Sequence, residues 1–236
     1  MTKSQILEEE NWTLADNRFT KVGRDYIATL SDLAKSSEGD KRALFNTLTQ
    51  MSLSEKKSLG LHLPVSIGHG DNSWFYIYPK GKDPYEGASN IELKFATLFH
   101  LRDACDFDDL YVIPSAMGAW QAYLYSIAPT LLQTEWHGEY IRRTYLFSLE
   151  TLERILNHTC SLYERNEFEL ITERDLIPQV KYKKRKAKVI CCYWSDWAGL
   201  VRETMSIRYD ANQNKILSMD CEKKDVLVPY NCKICL

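Results

Sequence analysis

Apolar residues recur at helical spacing near the start of the chain and at strand spacing near its end. Phe19, Val22, Tyr26, Leu30 and Leu33 fall three and four apart, which places them on one stripe of a helix that Ser36-Ser37-Glu38-Gly39 ends. Asp40 is positioned to cap a second helix carrying Leu44, Phe45 and Leu48. Ser52-Leu53-Ser54-Glu55 has capping-box spacing and Gly60 stands where a C-cap glycine would, so a third short helix is expected between them. From His62 the pattern becomes short apolar runs split by turn residues, and Leu63–Ile67 and Trp74–Tyr78 predict a strand pair around Gly68-His69-Gly70-Asp71-Asn72. A loop follows from Pro79 to Ala88, long enough to be a candidate functional loop.

Further on, Leu110–Ile113 predicts a compact strand, and Ser115 opens a helix with Met117, Trp120, Leu124 and Ile127 on one side that Pro129 stops. Tyr140–Phe147 predicts a returning strand, and Leu149, Leu152, Leu156 and Tyr163 another helix. The last fifty residues carry the clearest pattern. Val189–Trp194 is apolar on both faces, as in a central strand. Val201, Met205, Ile207 and Tyr209 then alternate with Arg202, Thr204, Ser206 and Arg208, a row broken inward only by Glu203. Asp210-Ala211-Asn212-Gln213-Asn214 supplies a hairpin turn, Leu217, Met219 and Cys221 continue the buried row, and Val226–Val228 adds one more strand. The class is α+β: a helical N-terminal layer, a mixed middle and a C-terminal antiparallel β-meander.

Charge divides the chain where hydropathy does not. Residues 1–180 hold 18 Lys and Arg against 26 Asp and Glu, whereas residues 181–215 hold 9 against 3. The net of −2 therefore hides a basic island, concentrated in the six cations among the eight residues from Lys181 to Lys188. This split defines an acidic, helix-rich region 1–180 and a sheet region 181–236 that begins with the basic run, both expected within one domain. Read as an extended chain, the run puts Lys181, Lys183 and Arg185 on one face and Lys184, Lys186 and Lys188 on the other. Arg202 and Arg208, with Thr204 and Ser206 between them, extend such a surface across the sheet. A local positive field gathers anions such as nucleic acid or an acidic protein face, while lysines also guard sheet edges against pairing.

Catalytic signals are sparse. Ile91-Glu92-Leu93-Lys94-Phe95 alternates like a strand, and its Glu-x-Lys resembles the core of the PD-(D/E)xK nucleases. That resemblance implies Mg²⁺ held by Glu92 with Asp71 or Asp83, and Lys94 supporting attack by water. Ser89 and Glu92 also form a capping box, however, and Ile91, Phe95, Leu98 and Cys105 fall at helical intervals; on a helix Glu92 and Lys94 diverge by about 200° and share no metal. His69 and Asp71 share a glycine-flanked loop that could present a base and its orienting carboxylate. Cys232-x-x-Cys235 has zinc-knuckle spacing, with Cys221, Cys191 and Cys192 as the remaining thiols, half of what a four-cysteine site needs. Seven cysteines, an odd number, argue for reduced thiols. Neither a signal peptide nor an apolar run of spanning length is present, so the cytosol is the expected compartment and no membrane is expected as a partner.

These features point to a non-enzymatic binding protein that engages an acidic macromolecule, protein or nucleic acid, through the basic segment and nearby aromatics, with no cofactor. The alternatives are the metal-dependent phosphodiesterase just described and a dedicated subunit or inhibitor whose acidic residues face a basic partner.

Overall fold

The computed structural model describes residues 17–35, 40–63, 73–82, 107, 109–132, 143–159, 168–210 and 212–230. Among them the chain forms four α-helices and nine strands. Helix α1 (Asn17–Ala34) buries Phe19, Gly23, Tyr26 and Leu30, close to the stripe its spacing predicts. Helix α2 (Ala116–Leu131) opens with the Ser115 hydroxyl accepting from Gly118 N at 2.9 Å. It buries every residue from Gly118 to Tyr125, as an all-round apolar helix must. Pro129 sits in its last turn, two residues before its end, so the helix runs on past the residue expected to stop it.

The segment from Arg42 to His62 departs from expectation. The second helix is a five-residue 3-10 turn, Arg42–Asn46, and the third is absent. Its place is taken by strands β1 (Met51–Leu53) and β2 (Lys57–His62). Ser52, expected with Glu55 to cap that helix, is a residue of β1, and the Ser54 carbonyl accepts from Lys57 N at 3.0 Å in the turn between the strands. Asp40 accepts from both Arg42 N and Leu59 N at 3.1 Å, so the carboxylate expected to cap a helix ties that turn to β2. Gly60 is a strand residue opposite Tyr76 of β3 (Trp74–Pro79), and the phenol ring lies where a Cβ would stand. Strand β4 (Leu110–Val112) pairs with β1.

The principal sheet has five strands. β6 (Gln179–Lys183), β7 (Lys186–Ser195), β8 (Gly199–Asp210) and β9 (Lys215–Val228) form an antiparallel meander. β5 (Thr144–Leu146) pairs with β7 beyond the end of β6, so β7 is bonded along both edges, and Val189–Trp194 is apolar on both faces because a hydrophobic cluster covers each of them. Position 180, the compositional boundary, lies inside β6.

One face of this sheet, carrying Val180, Ala187, Val189, Cys191, Tyr193, Val201, Ile207 and Tyr209, packs with α1 and α2 into the main core. The opposite face is divided. Cys192, Trp194 and Leu200 are covered together with Leu152 and Leu156 of α3 (Leu149–Thr159) and Leu176 of α4 (Glu173–Leu176). The other end of that face carries charge instead.

Strand β9 also departs from the simple alternation. Its pairing with β8 shifts three times, placing Leu217, Glu222 and Leu227 as extra residues between partners. Leu217 is therefore 66% exposed rather than buried, Ile216 and Met219 take the inner positions, and Cys221 is exposed. Val226–Val228 continues β9 rather than starting another strand.

The ring of Tyr76 over Gly60 generates a test. Gly60→Val should destabilise the chain by about 1–3 kcal/mol through overpacking, read by denaturant unfolding. Adding Tyr76→Ala should restore part of the loss because the obstructing ring is gone; a Gly60→Val cost unchanged in that background would show that the ring is not its cause.

Candidate functional site

The basic run is a hairpin, not an extended chain. β6 and β7 are joined by the two residues Lys184 and Arg185, and the register pairs Lys181 with Lys188 and Lys183 with Lys186. Directly opposed residues in an antiparallel pair share a face. Lys181, Lys183, Lys186 and Lys188 therefore stand together, correcting the three-and-three split. The turn reverses the strand after Lys183 and so resets the alternation. Lys184 takes a φ of 52°, a left-handed value that costs a side chain about 1 kcal/mol. Two bonds hold the turn: the Tyr182 hydroxyl donates to the Lys184 carbonyl, and Tyr209 N donates to the Arg185 carbonyl at 2.8 Å.

The same face continues across β8. Lys186 pairs with Arg208, Lys188 with Ser206 and Ile190 with Thr204, so cations and hydroxyls form a block three strands and roughly 10 Å wide. Arg208 Nε donates to Ser218 Oγ at 2.8 Å. Lys188 is paired with Glu222 of β9 at 2.6 Å, which makes β9 the acidic border of the block. Among the described residues, no carboxylate lies within ion-pair reach of Lys184, Arg185, Lys186 or Arg208. Arg202, at the other end of β8, is tied to Asp175 of α4 at 3.0 Å, and so belongs to the junction with the second hydrophobic cluster. The aromatic side chains of these strands turn away from the block: Tyr182, Tyr193 and Tyr209 lie on the core side, and Trp194 is buried beneath Phe168 and Tyr230. Aromatics expected beside the cations are thus engaged in packing.

A second constellation was visible in the sequence only as the inward break at Glu203. That residue is 3% exposed. Its carboxylate accepts from Tyr123 Oη at 3.2 Å and from Arg143 at 3.2 Å, with Lys224 Nζ at 3.6 Å. Arg143 also lies over the ring of Tyr193, 4.7 Å from its centroid. Burial disfavours the charge on Arg143, yet Tyr145 and Glu203 outweigh it and its pKa is raised. Burial raises Tyr123 and Cys191 as well, so Glu203 is surrounded by neutral hydroxyl and thiol groups and balanced by two cations. This arrangement specifies packing; a nucleophile with a base to activate it is not part of it.

The metal and catalytic candidates fare differently. Cys191 and Cys192 point to opposite faces, one into each hydrophobic cluster, and Cys221 is exposed on β9. Among the described residues, no group of three or more His, Cys, Asp or Glu could hold a metal ion. Asp71, Asp83, Glu92, Lys94, His69, Cys232 and Cys235 all lie outside the described residues. An open pocket of about 650 Å³ between α1 and α4 is lined by Thr20, Lys21, Arg24, Phe147 and Glu173 among others, with no His, Cys or Ser among the described residues that line it. Glu173 is committed there to capping α3, accepting from Leu149 N at 2.7 Å. No described helix is long and apolar enough to cross a membrane.

Fold and site together define an α+β protein with a cationic, hydroxyl-bearing patch on its principal sheet. Compared with protein-family models, curated proteins and solved structures, the chain matches none.

Two predictions follow from these contacts. Glu203→Ala should cost about 3 kcal/mol in urea unfolding because it strands Arg143 without its counter-charge, whereas Glu203→Leu with Arg143→Met should recover most of that loss; a double variant as unstable as the single would refute the pairing. Asp175 is held below the usual carboxylate range by hydrogen bonds from the Thr172 hydroxyl and N–H, with Arg202 adding to them. A depressed carboxylate stabilises the fold above its unfolded value, roughly pH 4, and loses that contribution as pH falls through the lower folded value. The Tm advantage over Asp175→Asn should accordingly be full near neutrality and shrink on acidification; an advantage that stayed constant into strong acid would contradict it.

Proposed function

We propose that this chain is a binding protein, without catalysis of its own, that docks an acidic macromolecular partner on the face built by β6, β7 and β8. The observation that supports this reading is the register that gathers Lys181, Lys183, Lys186 and Lys188 on one side of the hairpin, next to Arg208. Four like charges side by side repel one another, and opposed like-charge pairs such as Lys181–Lys188 and Lys183–Lys186 destabilise a sheet. Edge protection needs only an occasional lysine. An external polyanion offsets the repulsion, and nothing else among the described residues does so for Lys186 or the turn. The rest of the molecule is acidic, with residues 1–180 at a net of −8, so an anionic partner is repelled elsewhere and oriented toward this patch.

The test is retention on immobilised heparin near neutral pH. Despite its net charge of −2, the protein should bind at low salt and elute at moderate salt, and Lys183→Gln with Lys186→Gln should abolish retention while the variant keeps a cooperative thermal unfolding transition. A wild-type protein that flows through at low salt would end the proposal.

A further inference from the structure

Resting on that reading, we infer that the partner is double-stranded nucleic acid, held by its phosphate backbone and not by its bases. The composition of the patch argues the choice. Protein interfaces are depleted of lysine and anchored by Tyr, Trp or Arg set in pockets. Here the cations of the block are four lysines and one arginine, and Tyr182, Tyr193 and Tyr209 of the same strands are turned into the core. The same inward turn removes the stacking platform on which proteins hold single strands. What remains is what phosphate recognition uses: compact point charges interleaved with the hydroxyls of Ser206, Thr204 and Ser218.

The spacing agrees with that use. Lysines two apart along a strand stand roughly 7 Å from each other and cross-strand neighbours about 5 Å, so the block meets several consecutive phosphates with one charge each. It lies within the sheet, and among the described residues no helix or lone ribbon is raised beside it to enter a groove. Base edges therefore stay out of reach and sequence goes unread. Glu222, paired with Lys188, bounds the strip and is an internal competitor for one of its cations.

The experiment is fluorescence anisotropy of the full chain with two unrelated duplexes of about 20 base pairs, the corresponding single strand, and poly-glutamate as the acidic polypeptide, each titrated across salt. The two duplexes should bind within about threefold of each other and more tightly than the single strand, with a log–log salt slope of about −3 to −4, as for three or four phosphates. Lys183→Gln with Lys186→Gln should reduce the steepness by about 2, and Lys183→Arg with Lys186→Arg should retain it. Glu222→Gln should strengthen binding and steepen the slope by about 1, because Lys188 is released. Duplexes discriminated more than about tenfold, or a single strand preferred, would overturn backbone recognition. Poly-glutamate bound through the same lysines with the duplexes ignored would overturn the inference and leave the docking face standing. Neither ligand bound at low salt would sink both.

Discussion

Everything on the principal sheet depends on the register between β7 and β8, ten consecutive pairs from Lys186–Arg208 to Ser195–Gly199. Side chains alternate with a period of two, so a slip by one residue would send Val189, Cys191 and Tyr193 to solvent and drive Lys186 and Lys188 into the core. The penalty is large on both counts, and the register is correspondingly well specified. Along the outer row of β7, polarity changes from Lys186 and Lys188, through half-buried Ile190, to buried Cys192 and Trp194. Helices α3 and α4 cover only the apolar end. The cationic patch is thus the part of the outer face that these short helices leave to water.

The inner face carries a polar exception that reinforces the same register. Glu203 lies opposite Cys191 on β7 and Lys224 on β9, and its contacts to Arg143 and Tyr123 reach residues from outside the meander. Burying a carboxylate is costly unless it is paired and hydrogen-bonded, so only the arrangement that brings all these groups together satisfies it. From there a run of ring contacts passes through Tyr145 and Tyr193, and through Tyr123 to Trp120, which is stacked at 5.6 Å and meets Phe19 of α1 and Phe147. The Trp120 indole donates to the Phe19 carbonyl at 2.9 Å. First helix and last sheet are joined by one continuous packed seam.

Those elements that were legible in the sequence are the ones whose signal is periodic and long: α1, α2, the alternation of β8 and the two-sided apolarity of β7. Residues 51–62 read as a helix because Ser52 and Gly60 are residue types at home in helix caps as well as in strands, and only the ring of Tyr76 over Gly60 explains a glycine in mid-strand. The outward swing of Leu217 follows from bulges, which leave no mark on a hydropathy pattern. The most consequential miss was the turn at Lys184–Arg185. Two-residue hairpins announce themselves with Asn-Gly or Asp-Gly because those residues accept a positive φ, and Lys-Arg carries no such sign. The turn is imposed from outside, by Tyr182, Tyr209 and the pairing of the strands on either side. Reading the run as extended separated charges that the fold assembles. For the buried centre, Glu203 in an otherwise apolar row was the one available signal, and its partners Arg143 and Tyr123 lie 60 and 80 residues away, beyond the reach of any local pattern.

The two constellations stand on opposite faces of the same strands and treat charge in opposite ways. On the inner face one carboxylate is given two cations and a hydroxyl, and the account closes within the molecule. On the outer face cations accumulate across three strands while the carboxylates, Glu222 and Asp220 among them, are confined to β9. A sequence selected for sheet stability alone would alternate signs across neighbouring strands, since opposed unlike charges stabilise and opposed like charges do not. Strands β8 and β9 do so: Arg202 faces Asp225 and Glu203 faces Lys224. Strands β6 and β7 do the reverse at two successive pairs. This local reversal, continued where Lys186 faces Arg208 on β8, is the physical reason for seeking a further counter-charge outside the chain. Because salt screens exposed charges over about 8 Å under physiological conditions, the counter-charge has to come into direct contact with the patch to offset the repulsion.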